Sequence, residues 1–390
     1  MEESDLFKMF TLKKHPTTGV SSSSSFTNIS DLHEDTLVEI ICKLPIKHMV
    51  SCKSVSKLWH KLIANVCIPR IKSCSVFGLL YSTSPVSFLD NNVTNKRGPW
   101  SFSCINASDH INNTSLVESC LGGILPFRPA PYDFLDCCDG LLLFFNPSSM
   151  QYYVCNPSTQ QYVTIPNSPQ ENIPQIAFLS CDQNYRVVYI CGLPLTMNIY
   201  SLTSREWEVF TLDIEPSIAE APMSIRYISF EGSFYRLSVA GYLVKFNVNQ
   251  KGVQTFELPK IVVRDVPIGC LGVSQGRLHY AWDDQVSQMM VWVLDESGHP
   301  EQWVLKHNIC LQFFEKHPLR TNLHERLCLS VHAFHPTSDV LFVGNSSGIL
   351  SYDTNTRRLE TIFTLGSDRL IYSPEYAVYV FSVNLTPLGA

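Results

Sequence analysis

His324, Cys328, His332 and His335 stand four, four and three residues apart, a spacing that on a helix would let imidazoles and a thiolate converge on a metal ion. The residues between them argue against it. Leu327, Leu329, Val331, Ala333 and Phe334 alternate through the set in strand fashion, and strand alternation spreads the ligands over both faces. Asp283-Asp284 is a paired carboxylate of the kind used in acid–base work. It follows Tyr280-Ala-Trp282 at an expected loop, so a solvent-facing position is expected. Cys137-Cys138 is a vicinal pair, which rarely meets disulfide geometry without strain, and is read as core. The chain carries no Gly-x-Ser-x-Gly elbow, Walker loop or dinucleotide fingerprint. No catalysis, cofactor or metal is therefore expected.

The elements that hold these residues belong to a chain of 390 residues, 45% hydrophobic and only 16% charged. That composition supports a large buried core and more than one folding unit. A net charge of −6 supplies no basic field to hold nucleic acid. No apolar run approaches the length of a membrane span, and Met1 to Gly19 contains no apolar core of a signal peptide. A cytoplasmic and/or nuclear location is expected. There the 14 cysteines, mostly within apolar stretches, act as small hydrophobes. Asn-x-Ser/Thr triplets at Asn92, Asn106 and Asn345 carry no weight without a secretory signal. Residues 1–27, with the run Ser21 to Ser25, read as a disordered tail.

Residues 28–72 contain three short helical patterns. Ser30 or Asp31 can cap the first, with Glu34 placed as in a capping box. Leu37, Ile40, Ile41 and Leu44 share a helical face, and Pro45 ends it. Ile46, Met49 and Val50 form a second apolar face; Val55, Leu58, Trp59, Leu62 and Ile63 form a third. So little chain cannot bury a core alone, which points to docking. The order Leu32, Glu34, Asp35, Leu37, Ile40, Leu44-Pro45, Met49, Val55-x-Lys57-x-Trp59, Leu62-Ile63 resembles the F-box, a helical motif that docks on Skp-type adaptors. His33 stands where that family has Pro, Met49 where it has Leu, and Cys52 where Phe is common. The resemblance implies an adaptor-binding set of Leu32, His33, Leu37, Ile40, Ile41, Leu44, Pro45, Met49, Val55 and Trp59.

From residue 73 to 390 the periodicity is that of strands. Asn156-Pro-Ser-Thr-Gln-Gln-Tyr162, Ser201 to Trp207, Asn247 to Val253, Asp353 to Leu359 and a looser copy from Asp295 begin 45, 46, 48 and 58 residues apart, taken in chain order. Each copy opens with a side chain that can bond its own backbone in a turn, and each is preceded by a bulky apolar strand. Asp139-Gly140, Glu231-Gly232, Gln275-Gly276 and Ser338-Asp339 mark a second series of turns upstream. Four strands per repeat is the content of a propeller blade, and the 317 residues from Cys74 onward suffice for six or seven. Cys137-x-Asp139-Gly140-Leu-Leu142 followed by Asn156-Pro-Ser-Thr159 resembles the opening of the plant F-box-associated domain, which is kelch-like. Tyr185 to Val188, Ser204 to Trp207, Gly269 to Leu278, Met290 to Leu294, Trp303 to His307 and Leu350 to Asp353 are similar to its later landmarks. Galactose oxidase is also a kelch propeller, but its copper chemistry needs converging His and Tyr ligands, and no such set falls at blade-equivalent positions around Cys270.

The expected fold is thus α+β and multidomain: a small three-helix F-box, then an all-β propeller. The resemblance implies a substrate-recognition subunit of a Skp–cullin–F-box ubiquitin ligase. Its partners would be a Skp-type adaptor, cullin through it, and a target protein; nucleic acid and membrane are not among them. The alternative is a glycan- or metabolite-binding propeller sensor with a weak or idle F-box. Tyr132-Asp133, Arg226-Tyr227, Tyr280 to Asp284 and Arg320 to Arg326 are expected on exposed loops between blades.

Overall fold

The computed structural model describes residues 32–44, 49, 52–67, 77–85, 102–106, 124–127, 129 and 388, and 133–384 apart from 168–176, 181–184, 193, 225, 260–268, 285–286, 296–301, 315–328, 366–368, 372–377 and 383. The expected tail, Ser30, Asp31, Pro45, Tyr132, His324, Cys328 and Arg320 to Arg326 lie outside these residues. The chain divides into two compact units, Met1–Cys67 and Ile68–Ala390.

In the first unit, helix α1 spans Glu34–Cys42 and α2 spans Lys57–Leu62, with a 3₁₀ turn at Cys52–Ser54 before α2 and a π-type turn at Ile63–Cys67 after it. Helix α1 begins after His33, not at Ser30 or Asp31. His33 has φ −59° and ψ 145°, an extended conformation that halts the helix, and its Nδ1 accepts from the Asp35 amide at 3.4 Å. Ser56 caps α2, its Oγ accepting from the Trp59 amide at 3.2 Å. Met49 is helical; its neighbours 45–48 and 50, which complete the expected second helix, lie outside the described residues.

Among its described residues the second unit is all β apart from short helical turns. Five blades are four-stranded antiparallel meanders of consecutive strands. The first holds β3 (Phe134–Cys138), β4 (Leu141–Asn146), β5 (Gln151–Asn156) and β6 (Gln161–Ile165). The second holds β7 (Ala177–Ser180), β8 (Arg186–Cys191), β9 (Thr196–Ser201) and β10 (Trp207–Thr211). The third follows a helical turn, α3 (Pro216–Ala219), with β11 (Ile228–Phe230), β12 (Ser233–Ser238), β13 (Tyr242–Asn247) and β14 (Gly252–Glu257). The fourth holds β15 (Cys270–Ser274), β16 (Arg277–Asp283), β17 (Gln288–Asp295) and β18 (Gln302–Cys310). The fifth holds β19 (Ser330–Phe334), β20 (Val340–Asn345), β21 (Gly348–Asp353) and β22 (Arg358–Thr364). Five contiguous blades replace the six or seven expected. The reason lies at the two ends of the domain. There β1 (Phe77–Pro85) and β2 (Phe102–Asn106) pair with β23 (Arg369–Ile371) and β24 (Tyr379–Ser382) in one joining sheet, so the end segments do not make separate repeats.

Alternation along each strand sends apolar side chains to both faces, and each face meets the next sheet. Leu141, Leu143 and Val154 pack on Val187 and Tyr189 of the second blade. Val188 and Ile199 pack on Phe234 and Val244; Leu237 and Leu243 on Leu278 and Trp292; Ala281 and Val291 on Val331 and Val343. Phe342 and Ile349 then meet Leu79 and Tyr81 of the joining sheet. Leu80 and Phe381 on its other face return to Leu142 and Phe144 of the first blade. The circuit closes. Cys137 and Cys138 serve two different cores, as neighbours on a strand must.

The repeat read from sequence is the hairpin between a blade's third and fourth strands. Asn156 Oδ1 accepts from the Ser158 and Thr159 amides, Asp353 Oδ1 from those of Asn355 and Thr356, Asn247 Oδ1 from that of Gln250, and Ser201 Oγ from that of Ser204. The fifth residue of each turn, Gln160, Arg205, Lys251 and Arg357, is left-handed with φ between 56° and 59°. Of the upstream turns, Ser338-Asp339 differs from the three Gly turns. There His335 Nδ1 takes the side-chain acceptor role, receiving the Thr337 and Ser338 amides.

The C-terminal segment is pinned to the first blade. Asn384, 1% exposed, donates from Nδ2 to the Asp139 carbonyl (2.8 Å) and the Tyr185 hydroxyl (2.9 Å). Gly140 beside it has φ +72°, and a Cβ there would sit 2.2 Å from the Ser382 carbonyl oxygen. Gly140→Ala is therefore expected to lower stability by at least about 2 kcal/mol, through left-handed strain and displacement of β24. Urea unfolding of the variant against the parent measures it; an unchanged midpoint would show that the C-terminal segment does not close the ring.

Between the fourth and fifth blades, Lys306 pairs with Asp339, and His279, His307 and His335 stand nearby. Burial lowers the pKa of all three histidines, with Lys306 adding to the effect at His279 and His307. Burial pushes the Asp339 carboxyl up, but its hydrogen bond and charge contact with Lys306 and its bond from Asn355 outweigh this, so it ends below its ordinary value. All four groups have folded pKa values below their unfolded ones. Their contribution is thus present above the unfolded pKa and is lost as pH falls. The histidine part fades first, below an ordinary value of 6.5. The melting temperature should fall between about pH 7.5 and 5.5, and His279→Leu should flatten that slope; a parent Tm independent of pH over this range would contradict the assignment.

Candidate functional site

The first unit sorts its apolar residues into two sets. Leu37, Val38, Ile41, Met49, Cys52, Trp59, Leu62 and Ile63 are buried. Helix α1 lies against the π-type turn, and α2 against both that turn and the 3₁₀ turn, so these residues fill the small interior. Leu32, Ile40 and Leu44 are half-buried, while Val55, Leu58 and Val66 are 57%, 42% and 42% exposed. Of the expected docking set, then, Leu37, Ile41, Met49 and Trp59 sit inside, while Leu32, His33, Ile40, Leu44 and Val55 retain accessible surface. Leu58 joins the accessible group and was not in that set. Its signal was present: Leu58 is an apolar residue three positions after Val55, inside α2 and beside Trp59 in sequence.

The expected binding loops of the second unit are placed differently from the expectation. Tyr280 and Trp282 are buried on β16, and Asp283 is buried at its end. Only Asp284 enters the turn, where its Oδ1 accepts from the Ser287 and Gln288 amides. The Asp-Asp pair is divided between a core strand and a turn, because strand β16 runs one residue past the end of the aromatic run at Trp282. Asp133 is also buried.

Arg226-Tyr227 is likewise no outer loop. The segment leads into β11, and the first strand of each blade is the one that lies against neighbouring blades, as β3 lies by β7, β11 by β15, β15 by β19, and β19 by β24. The fourth strands are the exposed rims. Arg226 Nη1 donates to the His332 carbonyl of β19 and lies 3.7 Å from Cys270 Sγ of β15, and the guanidinium stacks 5.5 Å from the centre of the Tyr379 ring on β24. Next to it, Arg236 donates to the Ser224 and Met223 carbonyls and covers the Tyr227 ring at 4.6 Å. Residues from three sheets thus meet around one arginine, which itself leads into a fourth, at the inner edge of the ring. Among the described residues no three His, Cys, Asp or Glu side chains come together as a metal site. Among them, too, no helix is long and apolar enough to cross a membrane.

A family profile described as "F-box associated beta propeller domain" matches residues 93–382. The chain belongs to this family. An F-box domain profile matches residues 29–71 just upstream. The F-box protein At5g07610 of Arabidopsis thaliana is 26% identical over 326 residues, covering 75% of this chain and 74% of the relative. The F-box protein At5g03970 of the same plant is 23% identical over 355 residues, covering 84% and 82%. The F-box/kelch-repeat protein At4g19930 is 30% identical over 160 residues, 40% of this chain and 35% of the relative.

Within the F-box, the unusual residue is His33, at the position where the pattern has Pro. Its φ of −59° falls within the range to which a proline ring is confined. The imidazole supplies a side-chain cap that Pro lacks, while the backbone keeps the same path. His33→Pro should accordingly leave stability within about 0.5 kcal/mol of the parent, the fixed φ offsetting the lost acceptor. His33→Ala, which loses the cap and gains nothing, should cost about 0.5–1 kcal/mol. Thermal unfolding of the two variants tests this, and a proline variant less stable than the alanine one would refute the backbone match.

Proposed function

We propose that this F-box protein is the substrate-recognition subunit of a Skp–cullin–F-box ubiquitin ligase, acting in the cytoplasm and/or nucleus. The accessible apolar group Leu32, Ile40, Leu44, Val55 and Leu58 lies against a Skp-type adaptor. The adaptor joins the chain to cullin, and the propeller holds a target protein for ubiquitination. The contribution is proximity: a bound target is kept at high effective concentration near the catalytic partners, and no bond is made or broken by this chain.

One observation carries this reading. The described residues of this unit fill a small interior yet leave Leu58 exposed on the six-residue helix α2 and Val55 exposed just before its Ser56 cap. An apolar flank of that kind, on a domain of F-box type, fits helix docking into a partner's groove. Buried Leu37, Ile41, Met49 and Trp59 support that surface from behind.

Val55→Asp with Leu58→Asp tests the reading with little risk to the fold, since both positions are exposed and such substitutions usually change stability by less than about 0.5 kcal/mol each. The double variant should keep the parent melting temperature and lose co-purification with a Skp-type adaptor, by at least about 100-fold in affinity, as a pair of central apolar anchors allows. Undiminished adaptor binding would remove this flank from the interface.

A further inference from the structure

Arg226 has a set of partners unusual for a half-buried arginine. Its Nη1 is taken by the His332 carbonyl and the Cys270 thiol, and its face by the Tyr379 ring. None of these is an anion. Among the described residues no carboxylate pairs with it. Its Nε is buried without a hydrogen-bond partner, and Nη2 makes no bond among those residues either. The Nε–Nη2 edge is the one through which a guanidinium grips a carboxylate or phosphate with two parallel hydrogen bonds. Here neither nitrogen of that edge is hydrogen-bonded among the described residues, on a cation that burial has already stripped of part of its water.

The surroundings hold the arginine in place. The carbonyl that fixes Nη1 belongs to β19, the thiol to β15, the aromatic face to β24, and the arginine itself precedes β11. Its own carbonyl accepts from the Ser224 hydroxyl at 3.1 Å. Arg236 covers the neighbouring Tyr227 ring and donates to the Ser224 and Met223 carbonyls. Asp136 of β3 lies close enough to Tyr227, the next residue, to act on its hydroxyl. Leaving a desolvated charge uncompensated is costly, and groups from three sheets orient this one.

We propose that Arg226 anchors an anionic group, a carboxylate or a phosphate, at the inner edge of the ring. The anion takes the Nε–Nη2 edge of the guanidinium while Tyr379, Cys270 and the His332 carbonyl fix the plane of the fork. The site belongs to the propeller alone and is independent of whether the helical unit docks an adaptor.

The test uses the full chain, by calorimetric titration and thermal shift, at matched ionic strength set with sodium chloride. Citrate is the carboxylate probe and inorganic phosphate the other. One of the two should bind saturably and raise the melting temperature of the parent. Arg226→Gln should reduce that affinity at least tenfold. Arg226→Lys keeps the charge but not the planar fork, and should still weaken binding of the preferred anion. Which probe binds separates the two sources. Should Arg226→Gln unfold, the parent titration and the lysine variant still decide. A parent that responds to neither anion beyond chloride, or an Arg226→Lys variant that binds as tightly as the parent, would overturn the proposal.

Discussion

A four-stranded sheet with apolar side chains on both faces cannot bury them alone, and everything in the larger unit follows from that constraint. Val187 and Tyr189 face the first blade while Val188, between them in sequence, faces the third. The same division recurs at Tyr280 and Ala281, and at Leu79 and Leu80. A stack of such sheets leaves two apolar faces open unless it curves back on itself. Here the last pair of faces is covered by a sheet drawn from both ends of the domain, with β1 holding β24 and Asn384 holding the first blade. Closure therefore depends on the terminal segments, and a loss at Gly140 or Asn384 acts on the whole ring.

That dependence also shapes what the ring can present. Its fourth strands are exposed rims and its first strands crowd together, so chemistry carried by first strands is gathered into one place from residues far apart in sequence. Arg226, Cys270, His332 and Tyr379 meet that way. The helical unit follows the opposite economy: a small interior, two capped helices, and apolar side chains left outside for a partner.

Much of this was legible in the sequence. The Asx turns at Asn156, Asn247 and Asp353 were readable because a short side chain bonding its own backbone leaves a local signature. The order of helices, then strands, was readable from periodicity, and the F-box and propeller families from ordered landmarks. Blade count was not, because β1 pairs with β24 across the five blades that lie between them in sequence, and no local pattern records that pairing. Tyr280 to Asp283 was misplaced since an aromatic run ending in acids looks the same at a strand end and in a loop. Arg226-Tyr227 was read as a surface loop for a similar reason: polar residues between strands mark a turn, but nothing local says whether it faces solvent or the inner edge of the ring. His335 in an Asx-like role escaped notice because imidazole seldom takes that place.

The central claim is that the short helices dock an adaptor while the ring remains free for a target. Hydrogen–deuterium exchange on the full chain, with and without a purified Skp-type adaptor, tests it most directly. The account predicts strong new protection confined to α1, the Cys52–Ser54 turn and α2, with the blades unchanged. Exchange unaltered in the helical unit, or protection appearing on the blades instead, would contradict it.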